Sequence, residues 1–408
     1  MSKGRDATKR GGALLLPVYV PTALLAFGQG LLVPTLPYYA SSLGAPGALI
    51  GLIVASAGIG TLLMDVPAGA LLSRMGRRPA MLIGAGLVGL TSVFAAFLPS
   101  IAALIVMRLL AGVGTALWGI SRHAYITDAI TPAQRGRSLS IFGGINRGGT
   151  LVAPFFGGLI GQAFGLRSSL LVAGIMGLLT AVLAFYFVPE TGRTGQTATG
   201  DHKLRWAIVG QLLRTHWRDL SAAGTAQIFA QLIRAGRQLL IPLYGISLGL
   251  DIATTSSIIS LSAILDVAMF IPAGLMMDRF GRKVAAVPSF AIMALGMIVV
   301  AAAFDFRSLL IGAMVIGFGN GLGSGTMMTL GADLAPPGAV GEFLGFWRLI
   351  GDTGSSGGPL IVGAVAGAFG VITTALLLGG IGAVAALILA ILVRETRSVP
   401  IPTTTPGD

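Results

Sequence analysis

Gly69-Ala70-Leu71-Leu72-Ser73-Arg74-Met75-Gly76-Arg77-Arg78 returns later in the chain as Gly274-Leu275-Met276-Met277-Asp278-Arg279-Phe280-Gly281-Arg282-Lys283. The offset is 205 residues, and it holds on both sides of this stretch. Pro37, Tyr39, Ser42, Leu43 and Gly44 recur as Pro242, Tyr244, Ser247, Leu248 and Gly249. Pro67 recurs as Pro272, Gly112 and Gly114 as Gly317 and Gly319, and Asp128 as Asp333. Pro154 returns as Pro359, Phe164-Gly165 as Phe369-Gly370, and Glu190-Thr191 as Glu395-Thr396. Biased composition matches glycines by chance. It does not match Arg, Asp, Tyr and Glu positions at one ungapped offset. The chain reads as two copies of one unit.

Composition says where that unit lives. Of 408 residues, 54% are hydrophobic and 10% charged, against roughly 25% charged in soluble chains. The mean hydropathy is +0.87. The apolar residues fall in blocks of about 20, the length a helix needs to cross a ~30 Å hydrocarbon core. Lipid offers no partner for backbone polar groups, so each block is expected to be a helix. Six blocks lie between Leu14 and Val188 and six between Leu220 and Val393. The expected fold is therefore all-α integral membrane, with twelve spans as two pseudo-symmetric six-helix bundles. Residues 1–191 form the first bundle, 192–219 a polar linker with a short amphipathic piece, Leu204–Leu213, and 220–408 the second bundle and tail. The basic and apolar start resembles a signal peptide, but the apolar run continues past Pro17 and Pro21, so it reads as an uncleaved first span.

The net charge of +12 is a matter of topology. Lys3, Arg5, Lys9, Arg10, Arg74, Arg77, Arg78, Arg135, Arg137, the linker cations, Arg279, Arg282, Lys283, Arg394 and Arg397 all fall on one side, and only Arg167 and Arg307 on the other. This asymmetry places both termini in the cytoplasm. It points to anionic lipid rather than nucleic acid. The absence of cysteine excludes disulfides and thiol chemistry. No Ser-His-Asp set or metal cluster stands out, so neither an enzyme nor a cofactor or metal is expected. Gly317-Phe318-Gly319-Asn320-Gly321-Leu322-Gly323-Ser324-Gly325 looks like a phosphate loop, but it lacks the following Lys-Ser/Thr and lies in an apolar block. It is expected to serve close helix packing.

The repeated loops at Gly69–Arg78 and Gly274–Lys283 resemble the loop signature of the major facilitator superfamily. Arg108 to Gly114 resembles its fourth-helix motif. Gly149 to Gly158, around Ala153-Pro154, resembles its fifth-helix antiporter motif, and Pro189-Glu190-Thr191 the end of its sixth helix. Two positions depart from the pattern. Ser73 replaces the acid kept as Asp278, and Ala153 stands where a glycine is usual. The resemblance implies a drug:proton antiporter of the efflux branch, working as a monomer. It gives Gly69, Arg74, Gly76, Arg77, Arg108, Asp128, Pro154, Asp278, Arg279, Gly281, Arg282 and Asp333 scaffold or gate roles, with Arg77–Asp128 and Arg282–Asp333 as latches.

Charges inside spans mark function by default. A proton carrier needs a carboxylate at depth, and Asp266, Asp352 and Asp65 are the candidates in that order. Gln227, Gln231, Arg234 and Gln238 recur every three or four residues, which puts them on one helix face. With Gln29, the first-half equivalent of Arg234, and with Arg147, they are the candidate substrate lining. Arg147 and Asp352 are repeat equivalents of opposite charge. The family arrangement pairs Arg147 with Asp266 and brings Asp352 near Asp65. The function expected is a secondary active transporter in the cell membrane. It exports small amphipathic or hydrophobic compounds, as in multidrug resistance, in exchange for protons. Buried arginines support an alternative, a carrier of an anionic or zwitterionic solute or lipid-like amphiphile. A non-transporting sensor is the least favoured reading.

Overall fold

A computed structural model describes residues 14–129, 132–189, 210–211, 214, 217–336 and 339–396. The regular structure among them is entirely helical. A π-helical turn, Leu15–Tyr19, leads into α1 (Val20–Ser42), then α2 (Gly47–Met75), α3 (Arg77–Phe97), α4 (Ile101–Ala129), α5 (Pro132–Phe164) and α6 (Leu166–Phe187). The second unit has α7 (Trp217–Ser247), α8 (Ile252–Ala268), α9 (Phe270–Phe280), α10 (Arg282–Ala301), α11 (Phe306–Leu322), α12 (Thr326–Asp333) and α13 (Val340–Ile391). The amphipathic piece expected at Leu204–Leu213 lies mostly outside the described residues.

Nine helical stretches among the described residues are long and apolar enough to cross a bilayer. Three features separate this number from the expected twelve. α5 and α7 have the length, at 33 and 31 residues, but carry charged side chains. α13 runs for 52 residues, yet Gly370 inside it has φ +86°, which no helix holds. Its first-unit equivalent, Gly165, has φ +85° between α5 and α6. The repeat thus reaches the backbone. Gly44 and Gly249 are matched at φ +77° and +70°, and Gly76 and Gly281 at +86° and +105°.

The symmetry fails at two joints, both in the second unit. α2 continues through Pro67, whereas the equivalent stretch breaks at Met269, three residues before Pro272, into α8 and α9. Pro67 and Pro272 each leave the carbonyl four residues back without its donor, yet the bonds of Met269 N–H to Leu265 and of Ala273 N–H to Met269 persist at 3.1 and 2.9 Å, so this joint is slight. α4 is likewise continuous, but its counterpart breaks at Gly323-Ser324-Gly325 into α11 and α12. Gly325 takes φ +79°, a left-handed conformation open to glycine. Thr326 closes the break by donating to the Gly323 carbonyl at 2.7 Å.

α1–α6 pack mainly on one another, as do α7–α13, and two seams join them: α2 with α13, and α5 with α8. At one end the seams are as tight as backbones allow. A methyl added to Gly51 would stand 2.5 Å from the Pro359 carbonyl oxygen and 2.7 Å from Gly363 Cα. Gly47 meets Gly367 in the same way, and Gly158 meets Ser256 and Ile252 of α8. Tyr38 adds a polar tie between the units, donating to the Leu250 carbonyl at 2.8 Å and bonding Thr255 at 2.7 Å. Toward the loop arginines the seams loosen. A methyl on Gly69, Gly143, Gly144, Gly274, Gly341 or Gly345 meets nothing within 4 Å. Large apolar side chains such as Phe97, Phe185, Leu295 and Ile391 face outward, as lipid contact requires.

Gly51→Leu is expected to overfill the tight seam, at a cost of about 1–3 kcal/mol. Because the chain has no cysteine, a Ser356→Cys reporter on the cavity wall can show the result. It should gain labelling by a membrane-impermeant maleimide applied at the tight end only when Gly51→Leu is also present.

Candidate functional site

Between the two units lies a cavity of about 900 Å³, within the range of small-molecule sites. Its walls come chiefly from α1, α2, α4, α5, α7, α8, α11 and α13, with Val88 and Ser92 of α3 and Ala173 of α6 behind them. Much of the wall is apolar, including Leu32, Val33, Leu36, Val54, Ile241 and Ile316. Set into it are four arginines, Arg108, Arg147, Arg234 and Arg237, and two acids, Asp266 and Asp352.

Most of the candidate lining converges here. Gln29, Gln231, Arg234, Gln238 and Arg147 all line the cavity. Gln227 belongs to the same face of α7 but sits one turn away. It is buried against Gly351 of α13, where its amide nitrogen leaves no room for a side chain. It therefore packs a helix pair. Gln29 makes a long 3.4 Å contact to Thr115, whereas its repeat equivalent Arg234 is firmly held. Arg234 Nη2 donates to the Gly323 carbonyl at 2.7 Å, and its guanidinium lies 5.2 Å over the Phe290 ring.

The expected pairing of Arg147 with Asp266 is corrected. Asp266 Oδ2 accepts from Arg237 Nη2 at 2.9 Å and from Asn320 Nδ2 at 2.5 Å. Both partners belong to the second unit, so this ion pair does not cross the interface. Arg147 crosses it instead, donating to the Ser324 hydroxyl and lying 4.4 Å over Phe270. α5 and α8 are neighbours as expected, but Arg237 lies on α7 within the same unit and reaches the carboxylate first. The other expected proximity is present. Asp352 lies within electrostatic reach of Asp65, and both lie within reach of Arg348. Arg348 and Asp352 are one turn apart at 3.5 Å.

Two of these partners were not foreseen. Asn320 is a lone amide in an apolar block, which is itself a signal, but the glycine run around it drew attention to packing. That packing exists: Gly319 lies against Met293 and Ser289, and Gly321 against Asp266 and Met269. Ser324 carries no signal in sequence, because its role depends on the break in which it sits.

The motif residues fall at the loose end or within the bundle. Arg282 Nε bonds Asp333 Oδ2 at 2.8 Å. Thr396 adds a bond to the same oxygen, and Glu395 accepts from the backbone N–H groups of Arg282 and Lys283 at 2.8 and 2.9 Å. This carboxylate covers the positive end of α10 and fills the space where Gly281 has no side chain. The side chains of Asp128 and Ser73 lie outside the described residues, and the Arg77–Asp128 latch with them. Asp278 is exposed and Arg279 lies over Phe280 at 5.4 Å. Arg74 is exposed beside the turn at Gly76. Arg108 lines the cavity with a buried Nε that has no hydrogen-bond partner among the described residues. Pro154 also lines it, and Ala153 beside it has a physical explanation. Its methyl occupies the room left by Gly30, where an added Cβ would stand 2.6 Å away.

The comparisons with known proteins agree with this geometry. A family model described as Major Facilitator Superfamily matches residues 19–251 and 223–407. An uncharacterised MFS-type transporter of Methanocaldococcus jannaschii is 23% identical over 87% of this chain and 91% of its own length. The multi-drug resistance efflux pump PmrA of Streptococcus pneumoniae is 33% identical over 39% of this chain and 41% of its own. Among solved structures, a D-xylose-proton symporter superposes with a TM-score of 0.75 at 20% identity, covering 93% of this chain and 98% of its own. A nucleoside transporter, NupG, superposes with a TM-score of 0.74 at 17% identity, covering 92% and 98%. With two matches that together span nearly the whole sequence, the chain belongs to the Major Facilitator Superfamily and is a multi-pass membrane transporter rather than an enzyme.

Proposed function

We propose that the chain is a secondary carrier of the cell membrane, exporting small amphipathic compounds in exchange for protons by alternating access. The observation that carries this reading is the cavity between two repeats, closed at one end by backbone-tight seams and holding carboxylates among arginines. Two rigid units around a central site are the arrangement from which such carriers rock. The likeness to drug-efflux relatives supports the direction. Twelve crossings follow if α5 and α7 join the nine apolar stretches and α13 counts as two. The bundles are then 1–191 and 220–408, with 192–219 as a cytoplasmic linker and the carrier working as a monomer. The loose end carries the loop arginines, so on this reading the conformation faces inward.

Asp266 and Asp352 are the proton-coupling carboxylates of this reading, with Asp65 beside Asp352. Protonation of Asp266 removes the charge that holds Arg237, and so ties proton binding to the arrangement of the cavity wall. Purified protein in liposomes with an imposed pH gradient tests the coupling. Asp266→Asn is expected to abolish gradient-driven accumulation while leaving substrate counterflow intact, and Asp352→Asn to weaken the pH response. Gradient-driven transport unchanged in both variants removes proton coupling from the reading.

Orientation has its own test. Phe164→Cys and Phe304→Cys, both well exposed at the tight end, should react with an impermeant maleimide in intact cells. Val340→Cys should react only after permeabilisation. The reverse pattern inverts the topology.

A further inference from the structure

The charge of the cavity is not balanced by its own residues. Arg237 has Asp266, but Arg147 and Arg234 have no carboxylate partner among the described residues. Arg147 donates to a hydroxyl and Arg234 to a backbone carbonyl, and these acceptors belong to adjacent residues, Ser324 and Gly323. The two guanidinium groups thus come from different units, Arg147 on α5 and Arg234 on α7, and converge on one break in the second unit. They are close enough to repel one another, and Asp266, already bonded to Arg237, attracts Arg234 only from beyond ion-pair distance. Arg234 Nε is also buried without a hydrogen-bond partner among the described residues. Two like charges in a low-dielectric wall with only neutral acceptors are costly to hold, and removing water from them costs more. A guanidinium fork is best satisfied by an oxyanion, whose paired oxygens match its paired donors.

From this we propose that the compound carried is an amphipathic organic anion, a carboxylate, phosphate or sulfonate on an apolar body. Its oxyanion sits between Arg147 and Arg234. Its apolar part lies along Leu32, Leu36, Val54 and Ile241, which line the same cavity. The proposal rests on the carrier reading and narrows its substrate. Because the site joins one arginine from each unit, the anion bridges the halves and replaces neutral contacts that now hold both arginines at the break. The cavity volume of about 900 Å³ admits a drug-sized solute.

A matched series of synthetic probes tests this whatever the natural compound is. 4-Phenylbutane-1-sulfonate, 4-phenylbutyltrimethylammonium and 4-phenylbutan-1-ol share one body and differ in the head group, whose charge is negative, positive and zero at all working pH. Binding to purified wild-type protein in neutral detergent should favour the sulfonate by roughly tenfold or more over both others. Arg147→Gln and Arg234→Gln should each remove most of that preference, and Arg234→Lys should keep part of it. Ser324→Ala, which frees Arg147 and leaves its charge, should keep it fully. Equal binding of the three probes by wild type, or a sulfonate preference that survives both glutamine variants, overturns the proposal. Displacement of the sulfonate by phosphatidylglycerol at equal concentration overturns the assignment to a solute. Counterflow in liposomes separates this proposal from the carrier reading. Sulfonate binding without counterflow of any probe rejects the carrier and keeps the anion site, whereas counterflow of the cation alone rejects the anion site and keeps the carrier.

Discussion

The arrangement depends on how closely two pairs of helices can approach. Where Gly47 and Gly51 of α2 meet Gly363 and Gly367 of α13, and where Gly158 of α5 meets Ser256 of α8, there is no space for another carbon atom. Lipid supplies no hydrophobic force to press helices together, so their contact relies on dispersion and on small residues that let backbones touch. These seams close the cavity at one end and fix the angle at which the units diverge toward the other. Every polar group in the cavity sits below them and inherits its position from them.

The two seams are equal in shape and unequal in chemistry. At repeat-equivalent positions, one carries Asp65, Arg348 and Asp352, and the other carries Phe270, Gly143 and Arg147. The first is acidic on balance and the second basic. The carboxylates of the first seam thus have no counterpart on the second, which carries an arginine in their place. The Arg237–Asp266 pair, confined to the second unit, leaves Arg147 free of any carboxylate partner among the described residues.

Much of this was legible in the sequence because repetition and periodicity survive folding. The offset linking Arg74 with Arg279 also links Gly165 with Gly370, and the backbone follows it. The face bearing Gln231, Arg234 and Gln238 lines the cavity because polar groups at helical spacing cannot face lipid. What escaped was whatever depends on distance rather than pattern. Arg147 and Asp266 are complementary and on neighbouring helices, yet Arg237 is nearer. Gln227 is in register with the cavity face, but Gly351 draws α13 over it. Ser324 becomes an acceptor only because a glycine on each side opens the helix around it. None of these follows from residue type alone.

The break at Gly323–Gly325 also makes the units mechanically unequal. In the first unit α4 runs unbroken, so a push at one end travels its full length, as along a stiff rod. In the second unit the same push is absorbed where the hydrogen-bond ladder is interrupted. Arg147 and Arg234 are fastened at this compliant point. Whatever draws the two arginines away from Gly323 and Ser324 therefore slackens the joint itself, so that filling the cavity and bending the second unit become a single event.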